Sequence, residues 1–143
     1  MSVSDTLAPL IGRLAFGWFF LTQVAVYGGN WEGTIDLMTF RGVPGAAFIL
    51  ALSLLLITMG AISLIFGFHA RYGALILFTV TAVATVVLHD WWRIHDNPIQ
   101  RAAEFQIFAC YTAIAGGLLM LIGMGPGPVA VDNKPKGGGG PRR

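Results

Sequence analysis

The chain has 143 residues and a formal net charge of +2, with 55% hydrophobic and only 11% charged side chains. A soluble domain carries about 25% charged residues, and so few charges cannot cover this much apolar surface in so small a fold. The composition excludes a disordered chain, a soluble enzyme and a nucleic-acid binder, and leaves a protein whose solvent is the lipid bilayer.

Stretches without ionisable side chains place the crossings, because each charge is costly in hydrocarbon and about 20 residues are needed to span ~30 Å. The first span is expected over residues 7–27, ending at Gly28, Gly29 and Asn30. Its N-terminal flank has no Lys or Arg and no small-residue cleavage site follows it. It is therefore expected to be kept as an anchor rather than removed as a signal peptide. Thr34 to Phe40 reads as a short amphipathic piece on the membrane surface.

Gly42, Val43, Pro44 and Gly45 lead into a second span over 46–67, with Pro44 suited to a helix start. The connection Phe68 to Arg71 is tight, so this span and the third, 72–91, should form an antiparallel hairpin. Asp96, Asn97 and Pro98 break the next connection. The fourth span is expected over 104–124, stopped by Gly125, Pro126, Gly127 and Pro128. Residues 1–132 thus read as one all-α domain, an integral membrane four-helix bundle with four transmembrane helices. Residues 133–143, rich in Gly, Pro and basic side chains, are expected to be a disordered tail.

Four crossings put both termini on one side. Arg71, Lys134, Lys136, Arg142 and Arg143 fall there, against Arg41, Arg93 and Arg101 on the other, which predicts cytoplasmic termini. Tyr27, Trp31, Trp91 and Trp92 fit an aromatic belt at the opposite interface.

Chemistry-bearing residues concentrate at that opposite end. Thr81, Thr85 and His89 are four apart and form one polar stripe. Glu104 and Gln106 open the last span, and Gln23 and Tyr27 close the first. A quinone headgroup would need hydrogen-bond donors, an aromatic wall and a proton carrier, which histidine supplies near neutral pH. On that reading His89, Asp90, Trp92, Glu104 and Gln106 are candidate quinone or ligand-binding residues. The competing reading is that they are interfacial anchors satisfied by water. Arg13, about six residues into the first span, is a charge inside the membrane. A structural role is expected for it, snorkelling to the interface or bonding to Ser63 or Thr79.

Other redox chemistries lack their ligands. His89 and His69 fall at opposite faces, which does not suit a bis-histidine haem. Glu32 and Glu104 are too few for a di-iron bundle, and Cys110 has no partner for thiol exchange. No covalently bound cofactor, no metal and no catalytic residue is expected.

Several features together resemble the DoxX family of small four-span membrane proteins. They are Arg13 within Ile11 to Gly17; Gly42, Val43 and Pro44 before the second span; and Gly60, then Gly67 to Arg71, at that span's end. His89 to Trp92 and the run from Ala115 to Gly127, with Asp132 beyond, complete the order over residues 10–132. The resemblance implies a bacterial or archaeal cytoplasmic-membrane protein tied to redox systems. On it the leading expectation is a non-catalytic membrane subunit or docking partner with a quinone site, meeting a soluble redox protein or another membrane subunit. Two alternatives stay open. One is a quinone oxidoreductase subunit that performs the quinone step itself, and the other is a structural or stress-related membrane protein without electron transfer.

Overall fold

The computed structural model describes residues 3–131. The expected tail from 133 onward lies outside the described residues. Five α-helices follow one another: α1 Val3–Gly29, α2 Trp31–Phe40, α3 Ala46–Phe66, α4 Ala70–Leu88 and α5 Pro98–Met124, with a 3-10 turn at Trp91–Arg93. No strand occurs among the described residues. Four helices, all but α2, are long and apolar enough to cross a membrane.

The element boundaries follow local chemistry. Gly67 ends α3 with φ +68°, and His69, with φ 50°, turns the chain straight into α4. Ser63 Oγ donates to the Phe68 carbonyl at 2.7 Å and so ties this turn to the helix before it. The last helix starts earlier than the charge pattern suggested. Asn97 Oδ1 accepts from the backbone N–H groups of Ile99 and Gln100, both at 3.1 Å, and Pro98 takes the first helical position. Asn97 and Pro98 therefore begin α5 as well as ending the loop. Arg101 and Glu104 fit inside its first turns because this end reaches the interface, where charge is cheap.

The order of packing is α1 against α3, α3 against α4, and α4 against α5. Between helices in lipid, attraction comes from close contact rather than from the hydrophobic effect, so small residues mark the tightest approaches. A Cβ on Gly60 would sit 2.6 Å from Leu77 Cγ and 3.2 Å from the Gly73 carbonyl, and a Cβ on Gly73 would sit 3.2 Å from the Gly60 carbonyl. The α3–α4 hairpin is thus locked backbone to backbone near its turn. Gly117 receives the Phe16 ring, which brings α5 to α1. Around these contacts Phe20, Ala61, Leu64, Ala74, Leu77 and Leu118 form the core.

Arg13 is buried in this closed end, 1% exposed. It does not snorkel. Its Nη1 lies against Gly67, where Ala130 of the segment after α5 also packs, so a Cβ at Gly67 would collide with both. Ser63 and Thr79, the hydroxyls expected beside it, donate to the carbonyls of Phe68 and Leu75.

Candidate functional site

Away from the turn, α3 and α4 enclose a cavity of about 340 Å³, a volume within the range of small-molecule sites. Leu50, Leu54 and Ile57 of α3 and Ala84 and Leu88 of α4 supply much of its apolar wall, with Phe20 from α1. Thr34 and Met38 of α2 close it from above and are themselves buried. The piece expected to lie on the membrane surface is therefore also a roof. Its Thr34 hydroxyl donates to the Asn30 carbonyl one turn back at 2.7 Å and lies 3.3 Å from the Tyr27 carbonyl of α1. Its other face exposes Trp31, Leu37 and Phe40. Val83 and Val87, also on the lining, are exposed on the outside of α4, so the cavity meets the bundle surface there.

Polar groups gather at one end of the cavity. His89 Nδ1 lies 2.9 Å from Glu104 Oε2, a hydrogen bond that joins the end of α4 to α5. The His89 ring stacks on Tyr111 at 5.4 Å and 19°. Tyr111 Oη in turn lies 3.4 Å from Tyr27 Oη. Gln23, Tyr27, Ser53, Thr81, Thr85, His89 and Tyr111 all reach the lining. Thr81 and Thr85 are buried, and Thr85 satisfies its hydroxyl by donating to the Thr81 carbonyl at 2.7 Å.

Beside this end Asp90, 7% exposed, forms an ion pair with Arg41, the residue that caps α2. Arg93 Nε is 3.7 Å from its second oxygen. Trp91 packs edge-on against Phe105 at 5.1 Å, and the Arg101 guanidinium lies 5.6 Å above its ring. Trp92 is half exposed and meets Trp91 and Phe108 edge-on.

Of the residues singled out from sequence, His89, Asp90, Trp92 and Glu104 thus come to one end of the bundle. Gln106 does not. It is exposed on the outer side of α5, as is Cys110. The two-residue step from Glu104 turns about 200° around a helix, so equal depth did not mean an equal face. Tyr111, Thr34 and Met38 were not among the candidate site residues. The signal for Tyr111 was available: Glu104, Phe108 and Tyr111 stand at i, i+4 and i+7, one face of a helix. Among the described residues, no three His, Cys, Asp or Glu side chains are placed to hold a metal ion.

Comparison with known proteins decides the family. The model of the SURF4 family matches residues 35–137, from the roof helix through the last crossing. The chain belongs to the SURF4 family. It is 26% identical over 132 residues to the Surfeit locus protein 4 homolog of Schizosaccharomyces pombe and 24% identical over 128 residues to that of Drosophila melanogaster. These alignments take in 92% and 89% of this chain but only 38% and 40% of those longer proteins. It is also 28% identical to the inner membrane protein YqjF of Escherichia coli, over 92% of this chain and 95% of that one. No solved structure matches.

SURF4 membership corrects the DoxX resemblance, and the redox subunit, docking and quinone roles drawn from that resemblance fall with it. The physical reason lies in the motifs. Gly60 and Gly67 serve a close helix crossing and a left-handed turn, and Arg13 packs against that turn. These are packing and turn roles open to membrane hairpins of other families, so they identify the architecture and not one family within it.

Proposed function

We infer that this SURF4-family protein is a binding protein that takes an apolar chain from the bilayer into the cavity between α3 and α4. The observation that carries this reading is the cavity itself: about 340 Å³, walled by aliphatic side chains, within a membrane-crossing bundle and reaching its surface at Val83 and Val87. Such a wall attracts hydrocarbon by contact and offers little to a polar solute. His89, Glu104, Tyr27 and Tyr111 form a polar rim for the ligand's other end, with Asp90 and Trp92 beside it. A lipid acyl chain meets both demands, and the surrounding membrane supplies it without limit. The same reading puts both termini in the cytoplasm, on the Lys and Arg count.

A photoactivatable acyl-chain phosphatidylcholine, crosslinked to the reconstituted protein and mapped by mass spectrometry, tests the reading. Label on inward residues such as Leu54, Ile57 and Ala84 is expected. Label confined to outward residues such as Leu55 and Leu75 would overturn it.

A further inference from the structure

The polar rim carries one more reading, which rests on the proposal that the cavity holds an acyl chain. Met38 and Val43 line the cavity on one side, and Arg41 stands between them in the chain. His89 lines it on another, and Asp90 follows directly. The Arg41–Asp90 pair is thus a direct chain neighbour of the cavity's lining without forming part of it. At that spot one buried carboxylate is shared by two guanidiniums, Arg41 and Arg93, and a third, Arg101, lies over the adjoining Trp91 ring. Counting Glu104, which bonds His89 next in the chain, three guanidiniums stand near two carboxylates.

Hydrogen bonding points the same way. The Arg41 Nε and the Trp91 indole N–H are enclosed, and neither has a hydrogen-bond partner among the described residues. Buried donors ordinarily find an acceptor, and an oxyanion is the acceptor that would also balance the surplus positive charge. Arg93, 73% exposed at its side chain, and exposed Arg101 remain free to swing toward such a group. Planar guanidiniums suit phosphate oxygens. Of the other acidic groups at this end, Glu104 is taken up by His89, and Glu32, Asp36 and Asp96 are exposed to solvent and make none of these contacts.

We propose that the ligand is an anionic amphiphile, its phosphate held by Arg41, Arg93 and Arg101 at the rim and its chain in the cavity. A single phospholipid with an acidic headgroup satisfies both ends of the site. The second guanidinium on Asp90 is then not redundant, because it offsets the carboxylate and leaves Arg41 available to the ligand.

The test is a competition between dioleoyl phosphatidylglycerol and dioleoyl phosphatidylcholine for the full chain in detergent, read as retained lipid by native mass spectrometry. Wild type is expected to favour phosphatidylglycerol by about tenfold, in keeping with a severalfold gain per arginine near anionic headgroups. The double substitution Arg93→Gln and Arg101→Gln, both at exposed positions, should bring the ratio near one, with the larger loss in phosphatidylglycerol, whose net negative charge no choline offsets. Equal retention of both lipids by wild type would overturn the anionic headgroup and leave the cavity reading standing. Retention of neither would overturn both. A preference that survives the double substitution would remove the phosphate from these arginines. Millimolar inorganic phosphate separates the two sources of the anion. Failure to displace phosphatidylglycerol supports a lipid, and displacement by phosphate alone would assign the rim to the free ion instead.

Discussion

The two ends of the α3–α4 hairpin are built on opposite principles. At the turn, Gly60 and Gly73 bring two backbones together, Leu64 and Leu77 fill what space remains, and Arg13 is sealed against Gly67. At the far end the same helices part around a cavity, and polar side chains from α1, α2, α4 and α5 ring it. The closed end resists any added atom, whereas the open end has room for a guest. A bundle held together in lipid by contact alone can keep such a space only if it is locked elsewhere, and the glycine crossing is that lock.

Four substitutions break or sharpen this contrast. Asp90→Asn has the largest expected effect, because it leaves Arg41 enclosed without its counter-charge and unpins the roof helix. A loss of about 3–5 kcal/mol is expected in denaturant unfolding from detergent, and a loss below 1 kcal/mol would show that the pair is solvated. Gly60→Val comes next, since its new atoms meet Leu77 and the Gly73 carbonyl at the lock. About 2 kcal/mol of destabilisation is expected, visible as a lowered melting temperature, and an unchanged melt would mean the crossing is looser than described. Ala84→Phe adds more volume than Gly60→Val but does so in the cavity. Its stability should be unchanged or raised by up to about 1 kcal/mol, and a large loss would deny that the space exists. Gln106→Leu, outside both ends, should move stability by no more than about 0.5 kcal/mol and leave lipid retention as it was.

The legibility of these two ends in the sequence was unequal. The four crossings could be read because ionisable residues interrupt the apolar runs, and the tight turn from Phe68 to Arg71 gave the hairpin. The helix starts at Pro98 and Trp31 were harder, because Asn97 and Asn30 look alike as loop residues until hydrogen bonding makes one a side-chain cap and leaves the other without one. His89 and Glu104 could be paired from depth alone, whereas Gln106 was drawn in by the same reasoning and Tyr111 was missed. Depth comes from counting residues, but facing requires the helix rotation, which the apolar surface of α5 does not reveal because most of that helix is exposed to lipid. The cavity itself left no trace in the pattern. It arises from how two helices diverge, and an aliphatic wall around a space has the same composition as an aliphatic core.

The central claim is that the open end holds an apolar chain, and lipid retention by native mass spectrometry of wild type beside Ala84→Phe tests it most directly. One lipid is expected to stay with each wild-type chain when the detergent is stripped away, and the substituted chain, with its melting temperature intact, should lose it. Equal retention by the two proteins would contradict the account and place any bound lipid on the outer surface of the bundle.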